Sequence, residues 1–162
     1  MLESVQEGRE DESCFFSYLS QNGQKESLFH INAGEEKKLP FLYMITKDNT
    51  ICTLEHAPDG SKINFIKSGR YLVSYRIRIK GMNTEIIPVK ITVTTSPNLH
   101  SHYLFNEHMV QLNDDCQYIF GHALCTFEEN DPMYLSIKTN ADIDISCDST
   151  IYTTMEVTRV GR

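Results

Sequence analysis

The chain has 162 residues, 40 % of them hydrophobic, and a formal net charge of −7. That is the size of one typical domain, with enough apolar material to build a core. The negative balance argues against non-specific nucleic-acid binding, which needs a positive surface, and no run of about 18 apolar residues is present to span a membrane.

In chain order, the opening "MLESVQEGREDES" sets Glu3, Glu7, Glu10, Asp11 and Glu12 against Arg9. It has almost nothing to bury, so residues 1–12 are expected to form a disordered acidic arm. It also lacks the apolar stretch of a secretory signal. The expectation is a chain made and kept inside a cell, a piece of something longer, or a protein that reaches a surface when a mother cell lyses.

Residues 13–162 are expected to form a single domain, starting near "CFFSYL". The dominant signal from there is period two. In "GRYLVSYRIRI", Tyr71, Val73, Tyr75, Ile77 and Ile79 share one face, and Arg70, Leu72, Ser74, Arg76, Arg78 and Lys80 the other. That is a half-buried strand. In "EIIPVKITVTT", Val89, Ile91 and Val93 alternate with Lys90, Thr92 and Thr94, and Pro88 marks an edge or bulge at the strand start. "PMYLSIKT", "ADIDISC" and "IYTTMEVTRV" predict three more strands. The breakers "PDGS", "KSG", "KGMN", "SPN", "NDD", "ENDP" and "TNAD" fall between them. Short strands punctuated this way predict an all-β sandwich or barrel. No window shows a helical stripe with caps.

Chemistry-bearing residues are sparse. His100 and His102 form an "HSH" pair. Imidazoles two apart on an extended segment point the same way, so they are the candidate metal ligands. In a symmetric trimer one histidine per chain would meet on the axis. The competing reading is a pair of polar loop residues. The acidic turns "EEND" and "NDD" lack the spacing of a calcium loop and read as solvated turns. Phosphate-loop, nucleophile-elbow and zinc-protease motifs are absent, so no enzyme is expected and no cofactor beyond that axial ion. The five cysteines are Cys14, Cys52, Cys116, Cys125 and Cys147, without a C-x-x-C pair. They are expected to be reduced and half-buried. Cys14, next to the arm, is the candidate for cross-linking between chains.

The segments "CFFSYL", "INFIKSGRYLVSYRIRI", "LSIKTNADIDI" and "TTMEVTRVG", taken in that order, resemble the tumour necrosis factor-like jelly roll, and within it the complement-type globular heads and their bacterial relatives. Phe65, Gly69, Tyr71, Val73, Ser74, Tyr75 and Ile77 carry the specific part of that resemblance. Asp131 and Leu135 match an acidic turn before a late strand, and Met155, Val157 and Val160 a short apolar final strand. The collagen-like stalk and tryptophan of some members are missing.

The resemblance implies a jelly-roll sandwich of about ten strands that packs as a homotrimer and acts as a structural or binding module. It also implies a place on the surface of a bacterial endospore, in the coat or exosporium, with other spore-surface proteins as partners. The alternative is a receptor- or carbohydrate-binding trimeric head of a phage or secreted ligand. Phe15, Tyr75, Arg76 and Tyr152 are the residues assigned to the trimer interface, with Arg76 facing acids of a neighbouring chain and Arg78 left in solvent. Eight Tyr and eight Phe suit such an interface, where a ring with a polar tip is favoured.

Overall fold

A computed structural model describes residues 12–18, 27–41, 43–46, 51–57, 59–147 and 153–161. Among these there is no α-helix, hence none long and apolar enough to cross a membrane. They form thirteen strands: β1 (Ser13–Tyr18), β2 (Ser27–Ile31), β3 (Glu36–Lys38), β4 (Tyr43–Thr46), β5 (Cys52–Ala57), β6 (Gly60–Phe65), β7 (Gly69–Gly81), β8 (Ile87–Ser96), β9 (Phe105–Leu112), β10 (Gln117–Phe127), β11 (Pro132–Thr139), β12 (Ile143–Cys147) and β13 (Thr153–Gly161).

The strands make two antiparallel sheets. One has seven strands in the order β2-β12-β7-β13-β1-β4, with β10 on the other edge of β7. The second has six, in the order β5-β6-β11-β8-β9, with β3 also on β11. Each sheet is organised by a strand that one edge partner cannot cover. β7 pairs with β10 from Gly69 to Ile79, while its opposite edge is shared by β13 and then β12. β11 pairs with β8 on one side and with β6 and then β3 on the other. Splitting an edge between two short strands lifts the number of strands above the ten expected.

The period-two reading of β7 holds along its whole length. Tyr71, Val73, Tyr75, Ile77 and Ile79 are buried between the sheets, and the intervening residues are exposed or half-buried. Alternation sorts the residues because successive side chains leave a strand on opposite faces. Val89, Ile91 and Val93 of β8, Leu135 and Ile137 of β11, and Met155 and Val157 of β13 complete the same core. At one end Phe65 stacks on Phe127 (centroids 3.9 Å, 9° between planes), and Tyr71 meets Phe65 edge-on at 4.8 Å.

Gly69 opens β7 at φ +154, and a Cβ there would run into the backbone oxygen of Gly161. Glycine is therefore demanded by that close approach of the final strand, as well as by the turn. Glu12, placed in the arm by composition, instead belongs to the fold: its backbone carbonyl accepts from Arg159 N at 2.9 Å and its carboxylate accepts two bonds from Arg159 Nη1, at 3.2 and 3.3 Å. Residues 1–11 lie outside the described residues.

Candidate functional site: an apolar face at two sheet edges

β9 and β10 are terminal strands. Among the described residues β9 pairs only with β8, and β10 only with β7. They lie side by side at the same flank of the sandwich, each presenting an unpaired edge, a feature that native proteins cover or otherwise protect. The side chains here are not those of an ordinary solvated surface. Met109 is 71 % exposed, Phe120 63 %, Phe105 55 %, Leu124 46 % and Leu72 37 %. Leu124 sits opposite Leu72, and Phe120 opposite Arg76, in the β7–β10 ladder. A shallow concavity of about 510 Å³ between the edges is lined by Phe105, His108, Phe120, Gly121 and His122 among others.

Polar groups plug the gap beneath this surface. The Tyr75 hydroxyl shares a hydrogen bond with His108 Nε2 at 2.5 Å and accepts from Asn106 Nδ2 at 3.1 Å. Burial lowers the His108 pKa from its ordinary value, and burial likewise raises that of Tyr75. Gly121 makes the arrangement fit, because a Cβ on it would land on the Tyr75 hydroxyl and the Asn106 amide.

The outer face of the seven-stranded sheet continues this surface. Ladder register sets Phe15, Glu156, Ser74 and His122 in one row across β1, β13, β7 and β10. The adjacent row carries Thr154, Arg76 and Phe120. The Arg76 guanidinium rests 4.1 Å from the Tyr118 ring centre and 6.0 Å from that of Phe120. It is exposed and held by aromatic faces, a geometry that suits arginine's planar head.

Of the residues assigned to an interface from sequence, the structure brings Phe15 and Arg76 onto one face, Phe15 half-buried and Arg76 exposed. Tyr75 is on the opposite face of β7 and only 4 % exposed, so it supports the surface from below and offers none itself. Tyr152 lies outside the described residues. Arg78, left to solvent by the sequence reading, is half-buried and Arg76 is the more exposed of the two. Alternation alone cannot rank residues on one face, because cover comes from neighbouring strands.

His100 and His102 do not converge. His100 Nε2 bonds Asp131 Oδ2 at 2.6 Å, whereas His102 Nδ1 faces Ser101 Oγ at 3.3 Å. The segment between β8 and β9 that carries them is a loop, so the two-residue spacing does not align their rings as it would in a strand. Among the described residues no three His, Cys, Asp or Glu side chains gather as a metal site. The acidic turns bind their own backbone: Asp131 Oδ2 accepts from Glu128 N at 2.6 Å and Asn113 Oδ1 from Asp115 N at 3.0 Å. Cys14 is 0 % exposed on the inner face of β1. Reaching another chain from there requires β1 to leave the sheet, because Phe15, and not Cys14, points outward.

The sequence reading passed over β9 and β10, which carry Phe105, Met109, Phe120 and Leu124. The signal was present in "YIFGHALCTF", a nearly continuous apolar run of the kind expected for a strand covered on both faces. Strict alternation, the pattern sought, belongs to strands with one wet face.

No family model matches the chain, and no curated protein sequence matches it. Solved structures do. The chain is similar to "Structure of Eiger TNF from S. frugiperda", with a TM-score of 0.55 at 12 % identity over 93 % of each chain. It is similar also to the crystal structure of murine APRIL at pH 5.0, with a TM-score of 0.51 at 11 % identity over 84 % of this chain and 100 % of that one. At such identities the likeness speaks for the fold alone. With two antiparallel sheets, no helix among the described residues and these neighbours, the chain has a tumour necrosis factor-like jelly-roll fold built as a single domain.

Proposed function

We propose that the protein is a non-enzymatic homotrimer-forming module and that the β9/β10 flank, with the adjoining outer face of β7 and β10, is the surface on which copies meet. The exposed set Met109, Phe120, Phe105, Leu124 and Leu72 carries this reading. Phe105 and Met109 lie on β9 and Phe120 and Leu124 on β10, the two edge strands, and Leu72 lies opposite Leu124 on β7. An apolar patch of that kind marks an association site more often than a solvated surface. A closed ring of identical copies covers every such flank at once. Arg76 supplies a polar anchor at its centre and Phe15 extends it across the sheet.

Light scattering in solution tests the assembly. The expected mass is about three times the chain's 18.6 kDa, unchanged by reductant. Phe120→Asp is expected to return the protein to monomer with its strand content intact. An 18.6 kDa species for the unaltered protein overturns the reading.

The cellular role proposed is structural, in a bacterial spore surface layer with other proteins of that layer as partners. It rests on the sequence resemblance given above. Fractionation of spores tests it, and absence of the protein from coat and exosporium fractions overturns it. A second reading, a trimeric head that recognises a receptor or carbohydrate, is favoured by a different region. A groove of about 530 Å³ between β3 and the β5–β6 turn is lined by Phe29, Lys37, Lys38, His56 and Asp59. Its mixture of an aromatic ring with cations and a carboxylate is typical of polar ligand sites. A glycan array decides this reading, and no binding by the trimer counts against it.

A further inference from the structure

Cys14 and Cys52 belong to different sheets. Cys14 lies on β1, which pairs with β13 and β4, and Cys52 opens β5, which pairs with β6. No ladder joins the two strands, yet both side chains point inward and both are 0 % exposed. The Cys52 thiol is in hydrogen-bonding contact with that of Cys14. Both are free thiols here, and both lie close enough to Tyr71 to bear on its ionisation. Above them, Glu12, Arg159 and Lys67 form a charged cap, with Lys67 Nζ 3.5 Å from Glu12 Oε1. A disulfide would hold the two sulfurs at about 2.05 Å, and rotation about χ1 at either residue repositions its sulfur toward the other.

We propose that Cys14 and Cys52 are a modification site: they form an intrachain disulfide that staples the two sheets when the chain folds in the presence of a small-molecule disulfide such as oxidised glutathione. One protein thiol loses its proton and the thiolate attacks a sulfur of the glutathione disulfide. That S–S bond breaks, a mixed disulfide forms, and the departing glutathione sulfur takes up the proton. The second protein thiolate then attacks the protein sulfur of the mixed disulfide and displaces the second glutathione, which is protonated in turn. The two cysteines lose two electrons and glutathione disulfide is reduced to two thiols. Contact with Cys14, together with burial, keeps the Cys52 thiol protonated in the folded chain. Exchange therefore occurs before β1 docks, since only a thiolate attacks. Folding then seals the product. This is a different fate for Cys14 from a link to another chain, and it is independent of how copies assemble.

The test is to refold the full chain from denaturant in a glutathione redox buffer, block free thiols, digest without reduction and weigh the peptides. The expected result is a joined pair of peptides carrying Cys14 and Cys52, two fewer titratable thiols, and a single-chain band on a denaturing non-reducing gel. The melting temperature is expected to rise by about 10 °C over the reduced protein, as closing a loop of this length restricts the unfolded chain. Cys52→Ala is expected to leave Cys14 blocked as a free thiol and to abolish the rise. If that variant does not fold, Cys14→Ala gives the same comparison from the other side. Recovery of both peptides separately blocked after oxidative refolding, linkage of Cys14 to any other cysteine, or a joined pair with a lowered melting temperature overturns the proposal.

Discussion

Tyr71 and Tyr75 stand one above the other on the inner face of β7, and the strand treats them alike: same alternation, same burial class. Their surroundings differ. Tyr71 belongs to a closed end, edge-on to both rings of the Phe65–Phe127 stack, and its hydroxyl donates to the Lys67 carbonyl at 2.6 Å. Tyr75 belongs to an open flank, where its hydroxyl ends among His108, Asn106 and the backbone of Gly121. A jelly roll sealed at one end by aromatic stacking is closed at its flank by polar groups under an exposed apolar skin. The flank therefore pairs an exposed hydrophobic surface with a fixed support beneath it.

The largest effect is expected at the closed end. Tyr71→Ala removes a fully buried ring packed edge-on against the Phe65–Phe127 stack and should cost about 3–5 kcal/mol of folding free energy, as ring-to-alanine changes in cores do. Denaturant titration of the reduced protein measures it. If Tyr75→Ala costs as much, the two ends are equally packed and the contrast between them fails.

Gly121→Ala comes next. The added Cβ overpacks the site against Tyr75 and Asn106, at a cost of about 1–3 kcal/mol. Placing it in a Tyr75→Phe background should reduce the added penalty, because the hydroxyl it meets is gone. An equal penalty in both backgrounds would show that Tyr75 does not run beneath Gly121.

The smallest effect is in pH. Burial lowers the His108 pKa below its ordinary 6.5, so the unfolded chain binds the proton first and stability falls as pH drops below 6.5. The His30 pKa is raised above 6.5, chiefly by its hydrogen bond to Asp144 (2.8 Å). That contribution is complete below 6.5 and is lost as pH rises through the folded value. Together the two histidines place a stability maximum near pH 6.5. Denaturation midpoints from pH 5 to 8 should show His108→Gln flattening the acid limb and His30→Asn the alkaline limb. His30 is largely exposed, so its limb is the shallower, solvent screening its ion pair.

The fold was legible where one face of a strand is wet. β7, β8, β11, β12 and β13 announce themselves by alternation, and Gly69 by its place before the central strand. The exposed apolar set on β9 and β10 was not, because these strands carry apolar residues on outward faces as well as inward ones. Period-two reasoning assigns such residues to no core. The HSH pair misled for the opposite reason: its spacing means one thing in a strand and another in the loop that carries it. Phe15 and Arg76 share one outward face because their neighbours on β1 and β7, Phe16 and Ile77, are buried inward.

The sequence by itself determined which side of each alternating strand meets the core, since burial of apolar area dictates that choice residue by residue. Only the tertiary structure decided what lies across the gap. Register between β7, β10 and β13 made a row of Phe120 and Arg76. Docking of one sheet on the other brought Cys14 to Cys52 and Tyr75 to His108. Those contacts join residues far apart in the chain, and no local pattern encodes a distance between strands that meet only after the sheets have packed.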